Sequence, residues 1–155
     1  MKINAPFGSI WLDADNKGLT AVSFFEITDH KTNHFTELAA KELTEYFSGE
    51  RTHFTVPLSI NSGTDFQRRV WSALSQIPYG KTCSYLDIAK AVDSPKAVRA
   101  IGQANSKNPI PIIVPCHRVI GKNGKLTGYL GSSELDGLTI KEHLLNIENV
   151  SIDKN

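Results

Sequence analysis

The chain predicts a small α/β unit followed by a mostly α-helical one, and three observations predict it. Asn16-Lys17-Gly18 is a hairpin signal between two strand-like runs in "SIWLDADNKGLTAVSFFE". Apolar residues recur at helical spacing in "HFTELAAKELTEYFSG". Beyond Gly63, start signals for short helices follow one another. "NSG" at Asn61–Gly63 reads as the linker, so the expected domains are 1–60, a small antiparallel sheet plus helix, and 64–150, a helical domain with a helix-turn-helix.

In the first domain, Phe35, Leu38, Ala39, Leu43, Tyr46 and Phe47 fall on one helical face, with Gly49 as the stop. "HFTVPLSI" alternates Phe54, Val56, Leu58 and Ile60 and reads as a strand, which Pro57 confines to a sheet edge. In the second domain, Thr64 and Gln67 form a capping box, and Phe66, Val70, Leu74 and Ile77 mark the buried face of the helix they open. Trp71 reads as core rather than as a stacking platform.

Pro78-Tyr79-Gly80 ends that helix. Ser84 caps the next, with Leu86, Ala89 and Val92 inward. Ser94-Pro95 reads as an N-cap with proline at the first helical position, opening "PKAVRAIGQANSKN". Two short helices joined by a tight turn suggest a helix-turn-helix. The second of them holds Ala97, Ala100, Gly102 and Ala104, with Arg99 its one long cation near the middle. Gln103 and Asn105 are its only amides before the end, too few base readers for sequence-specific repression. Pro109, Pro111 and Pro115 make the following segment extended and stiff. "TIKEHLLNIE" closes the domain as a short amphipathic helix built on Ile140, Leu144 and Ile147.

Composition narrows the function. The 155 residues carry a net charge of +1, unevenly spread. Residues 65–130 hold ten Lys/Arg against three Asp/Glu, while both flanks are acidic. A basic block of this kind suits a polyanion. No apolar run approaches the length of a membrane span, and the N-terminus lacks the apolar core of a signal peptide, so the expected compartment is the cytoplasm. Only Cys83 and Cys116 are present, without ligand spacing to the histidines. Neither a structural zinc site nor a structural disulfide is expected, and no cofactor.

Cys116 and His117 stand side by side in "IIVPCHRVIG". Taken alone the pair proves little: a buried cysteine is usually inert, and neighbours in an extended chain face opposite ways. The surrounding motifs change that balance. "PCHRVIG", "TDFQRRVWSALSQIPYGKTCSY", "SPKAVRAIGQANSKNP", "GKLTGY" and "KEHLLNIE" stand in one order. In these the chain resembles the methylated-DNA–protein-cysteine methyltransferases, the suicidal repair proteins for O6-alkylguanine. The resemblance is close over residues 64–148 and looser before them.

The resemblance implies a set of roles. Cys116 is the alkyl acceptor, His117 takes its proton through a bound water, and Glu148 orients His117. Asn108 bridges the helix-turn-helix to the active-site segment. Tyr85 contacts the lesion, and Arg99 fills the gap left by a flipped nucleotide. Ser84, Ala97 and Ala100 pack near the DNA backbone, with Arg118 a further DNA contact. Val119, Tyr129, Leu130 and Gly131 belong to the substrate pocket. The implied partner is double-stranded DNA carrying O6-alkylguanine (O4-alkylthymine being a second candidate), approached from the minor-groove side by a monomer.

The chain departs from the family pattern after Tyr129. Leu130 is bulky, Ser132 replaces a glycine, and the loop before Lys141 is long. The stretch Leu130–Thr139 is therefore the expected governor of alkyl-group preference. Two rival readings remain open: a lesion-binding module that does no chemistry, which Cys116 opposes, and a cysteine hydrolase, which leaves the basic segment unexplained.

Overall fold

The computed structural model describes residues 1–121 and 135–150, which fall into two compact units. The first comprises Met1–Ser62 with Pro109–Pro111, and the second Gly63–Asn108 with the chain from Ile112 onward.

The first unit is a three-stranded antiparallel sheet in the order β1 (Lys2–Ala5), β2 (Gly8–Ala14), β3 (Leu19–Ser23). The β2–β3 hairpin turns where expected, and the Asp15 carboxylate accepts the Lys17 and Gly18 amides to close the turn. β1 is an additional strand that the hairpin signal did not include. Helix α1 (His34–Phe47) packs on this sheet. Ala39, Leu43 and Tyr46 are fully buried alongside Ile10, Leu12 and Leu19. The Asn33 side chain caps its start, and Gly49, at φ +82, follows its end.

The expected strand over "HFTVPLSI" does not form; Leu58 makes only an isolated bridge to Leu19. A carboxylate has taken the donors a ladder needs. Buried Glu42 accepts the Thr55 and Val56 amides at 2.9 Å and the Thr55 hydroxyl at 2.6 Å, and Arg51 neutralises it at 3.1 Å. Pro57 has no N–H to contribute. Leu58 accordingly stays exposed rather than facing inward.

The second unit is helical. Helix α2 (Asp65–Leu74) opens with the Thr64–Gln67 capping box and buries Val70 and Leu74 completely. Trp71 is core, its indole N–H donating to the Ala104 carbonyl at 2.8 Å. Ser84 caps α3 (Tyr85–Ala91). Ile88 and Ala89 fill its inner face, whereas Leu86 is 41% exposed, a correction to the expected inward set. Helix α4 (Val98–Ser106) starts later than the Ser94-Pro95 signal: the Ala97 amide bonds the Ser94 carbonyl, so residues 94–97 close a turn, and the helix begins without a side-chain cap.

Helices α3 and α4 pack on each other and on α2. The final helix, α5 (Leu135–Ile147), begins earlier than expected. Residues 135–139 are thus helical rather than loop, while Leu130 to Glu134 lie outside the described residues.

Candidate active site

The segment before Cys116 is not simply extended. Ile112 sits at φ +76, a conformation costly for a β-branched residue, and is fully buried. Pro115 then opens a single 3-10 turn, Cys116–Arg118, closed by the Arg118 amide on the Pro115 carbonyl at 3.0 Å. The three prolines ruled out a long helix and left room for one tight turn. That turn gives neighbouring side chains a shared environment that an extended strand would deny them.

Three fastenings hold the turn. Asn108, just past α4, donates its amide to the Val114 carbonyl at 2.9 Å. Asn105, on α4, donates to the Cys116 carbonyl at 3.3 Å. Beyond the turn, β5 (Val119–Ile120) pairs in parallel with β4 (Cys83–Ser84), setting Val119 against Cys83 and Ile120 against Ser84. This pairing ties the strand leaving Cys116 to the residue that caps α3, immediately before Tyr85.

Cys116 is 1% exposed and His117 fully buried. The His117 Nε2 lies 2.6 Å from Glu148 Oε2. Glu148 is delivered by the end of α5: its own amide still bonds Leu144, and Asn149 at φ +61 turns the chain out of the helix. The Glu148 carboxylate also receives the Gly80 amide at 2.9 Å and the Arg118 guanidinium at 2.9 and 3.2 Å. Burial is the largest influence on His117 and lowers its pKa; the Glu148 bond and charge oppose this, and the Arg118 and Lys141 charges reinforce it. The imidazole is therefore poised neutral, the form able to accept a proton.

The sequence reading gave Lys141 no role at the site. It is fully buried, with its ammonium 5.9 Å from the Tyr85 ring centroid. Burial pulls its pKa down to about 8, partly offset by attraction to Cys116. Lys141 and Glu148 are two helical turns apart, with Leu144 and Leu145 between them also buried. That spacing was the available signal: a lysine on the same stripe as the buried leucines. Asn105 was noted only as an amide, and its bond to Cys116 could not be read from spacing.

Arg118 corrects an expectation. The sequence reading placed it against DNA, but its side chain is interior, spanning Glu148 and the Ile77 carbonyl, to which it donates at 2.7 Å. The buried carboxylate wins the guanidinium because a charge removed from water demands a partner. The other expected DNA contacts remain on the outer faces. Arg99 is exposed, and Ala97, Ala100, Ser84 and Tyr85 are partly exposed. Val119 is fully buried. Tyr129, Leu130 and Gly131 lie outside the described residues. Cys83 is half-buried, and burial followed by the Asp87 charge pushes its thiol up to about 11, which leaves it a poor nucleophile. Among the described residues no cluster could hold a metal ion, and no helix is long and apolar enough to cross a membrane.

Comparison with known proteins bears on both units. Residues 1–60 match the family described as the 6-O-methylguanine DNA methyltransferase ribonuclease-like domain, and residues 65–150 match the corresponding DNA binding domain. The chain is 58% identical over 124 residues to the constitutive methylated-DNA–protein-cysteine methyltransferase of Bacillus subtilis, covering 80% of this chain and 72% of that one. It is 49% identical over 152 residues to the Methanosarcina acetivorans methylated-DNA–protein-cysteine methyltransferase, covering 93% and 94%. The crystal structure of Mycobacterium tuberculosis OGT in complex with DNA superposes with a TM-score of 0.84 at 45% identity, covering 95% of this chain and 90% of that one.

Proposed function

The chain belongs to the methylated-DNA–protein-cysteine methyltransferase family, and from that premise we propose that Cys116 is the residue that takes the alkyl group. The enzyme repairs DNA by moving an alkyl group from the damaged base to a cysteine. The observation that carries the assignment is the 2.6 Å contact of His117 with Glu148 in the turn that Cys116 begins. Nucleophile, base and orienter then follow the logic of a catalytic triad.

A thiol is mostly protonated at neutral pH, so a base must be at hand. His117, held neutral by burial, takes the Cys116 proton through a bound water. The sulfur attacks the alkyl carbon in line, the S–C bond forms as the O6–C bond breaks, and the electron pair leaves with the guanine oxygen. Tyr85 supplies the proton that the departing base needs. Lys141, buried beside the sulfur's charge, favours the thiolate over the neutral thiol. The product is a thioether with no chemical route back, so each molecule acts once.

The O6 atom of a stacked base is out of reach of a protein thiol, so the nucleotide leaves the duplex at a cost of a few kcal/mol. Helices α3 and α4 act as a helix-turn-helix approaching the minor groove. Arg99 fills the gap, and the small residues Ala97 and Ala100, with Ser84, allow close approach to the backbone. Asn108 couples α4 to the nucleophile turn. Val119 offers its backbone to the guanine edge, and Tyr129, Leu130 and Gly131 complete the pocket. The protein acts as a cytoplasmic monomer without a cofactor.

The test is stoichiometry. With O6-methylguanine duplex in large excess, one methyl group is expected per protein and no more. Sustained turnover would overturn the single-use mechanism and favour the hydrolase reading.

A further inference from the structure

The mechanism above needs His117 to present a basic nitrogen, and it leaves the buried Arg118 without a role. We propose that Arg118 is a positioning residue that keeps Glu148 a pure hydrogen-bond acceptor and so fixes the His117 tautomer. This deepens, and rests on, the reading of His117 as the base.

The geometry is closed on one side. Glu148 Oε1 receives the Gly80 amide and Arg118 Nε, each at 2.9 Å. Glu148 Oε2 receives Arg118 Nη2 at 3.2 Å and faces His117 Nε2 at 2.6 Å. A backbone amide and a guanidinium can only donate. A proton on the carboxyl would discharge the partner of the buried Arg118 guanidinium and set an O–H on Oε2 against the Arg118 donor there, so the pair favours Glu148 as the ionised acceptor, with no hydrogen to give. The proton in the contact at 2.6 Å therefore sits on His117 Nε2, which leaves Nδ1 as the basic nitrogen of the ring. Without the guanidinium, a buried carboxyl beside an imidazole could take up a proton and donate it, reversing the tautomer.

Arg118 is itself anchored from the far side. Its Nη1 donates to the Ile77 carbonyl, and its guanidinium lies over the Tyr79 ring at 5.7 Å. The Tyr79 hydroxyl reaches the Ile147 carbonyl at 3.3 Å, one residue before Glu148. The fork is thus held rigidly toward α5. Lysine could supply the charge but not two parallel donors.

The charge has a second effect. The groups that bear on His117 are Lys141 from α5 and Glu148 just past its end, and Cys116 and Arg118 from its own turn, with Tyr79 flanking the Arg118–Glu148 pair. Glu148 favours the imidazolium; Arg118 and Lys141 oppose it. Removing the Arg118 charge raises the pH below which His117 is protonated and unable to act as base.

The test measures Cys116 alkylation against pH for the native protein, Arg118→Met, Arg118→Lys and His117→Asn. Each is given two substrates, free O6-benzylguanine and an O6-methylguanine duplex. Arg118→Met is expected to slow both substrates equally, by about tenfold or more, and to move the acid limb to higher pH. Arg118→Lys is expected to restore the limb but only part of the rate. ¹⁵N shifts of His117 should report the Nε2–H form in the native protein and in Arg118→Lys, which also carries the test if Arg118→Met does not fold. Loss confined to the duplex, with the limb and tautomer unchanged, would overturn the proposal and return Arg118 to a DNA contact. A native His117 protonated at Nδ1 would overturn it as well. If His117→Asn reacts at the native rate, the general-base reading has failed and Arg118's role with it. If His117→Asn is slow while Arg118→Met keeps the native limb and tautomer, the proposal alone has failed.

Discussion

Replacing Lys141 with methionine should make the protein more stable and less active. Lys141 has no exposure to solvent, and burial drops its pKa from 10.5 to about 8. The sign follows from proton counting. Between those two values the unfolded chain binds more protons than the folded one, so stability rises with pH. Below the folded value both states are protonated and the folded state carries the full penalty. The shift of about 2.5 units corresponds to a burial cost of up to about 3 kcal/mol at pH 7, falling to about 1 kcal/mol by about pH 9.5.

Methionine fills a similar volume without a charge. Urea unfolding of Lys141→Met against the native protein should therefore show a gain of up to about 3 kcal/mol at pH 7 that shrinks by about pH 9.5. Subtracting the two proteins cancels the other groups that titrate in this window. Alkyl transfer at pH 7 should slow, because the sulfur loses the neighbouring ammonium. A variant less stable than the native protein at pH 7, or a stability difference independent of pH, would refute the reasoning. Either result would mean that the ammonium is well compensated where it lies.

Other perturbations probe other parts of the molecule. Arg99→Ala should slow repair of duplex DNA far more than reaction with the free base, and equal slowing of both would remove it from any flipping role. Trp71→Phe should cost about 1–3 kcal/mol, read by urea midpoint, because the buried Ala104 carbonyl loses the indole donor. Glu148→Gln should cost about 3–5 kcal/mol, since it strands the buried Arg118 charge. It should also slow alkyl transfer in the folded fraction, which a rate normalised to folded protein would show.

The parts of the fold that were legible in the sequence share a local cause. Thr64 with Gln67, Ser84 and Asn16-Lys17-Gly18 act through bonds to residues a few positions away, and spacing alone reveals them. The failures involve distant partners. Nothing near Pro57 announces that Glu42 takes the amides of Thr55 and Val56. Ser94-Pro95 reads as a helix start, yet the Ser94 carbonyl is used in a turn that delays α4 to Val98. At the site, Cys116, His117 and Glu148 were nominated by motif order rather than by physics, since a chemical reason for joining positions 117 and 148 needs the chain folded. Arg118 was expected at DNA through the resemblance; only the fold brings a buried carboxylate within reach of its guanidinium. Lys141 served in the sequence only to mark where the last helix begins, and lysine is so seldom fully buried that its place on the leucine stripe gave it no role at the site.

The most direct test of the central claim is the mass of one peptide. After incubation with O6-methylguanine duplex, the peptide containing Cys116 should be heavier by one methyl group, and the peptide containing Cys83, whose thiol is held up to about 11, should be unchanged. A Cys116→Ser protein should leave the DNA methylated. Methyl on Cys83, or repair by Cys116→Ser, would contradict the assignment of Cys116 as the acceptor.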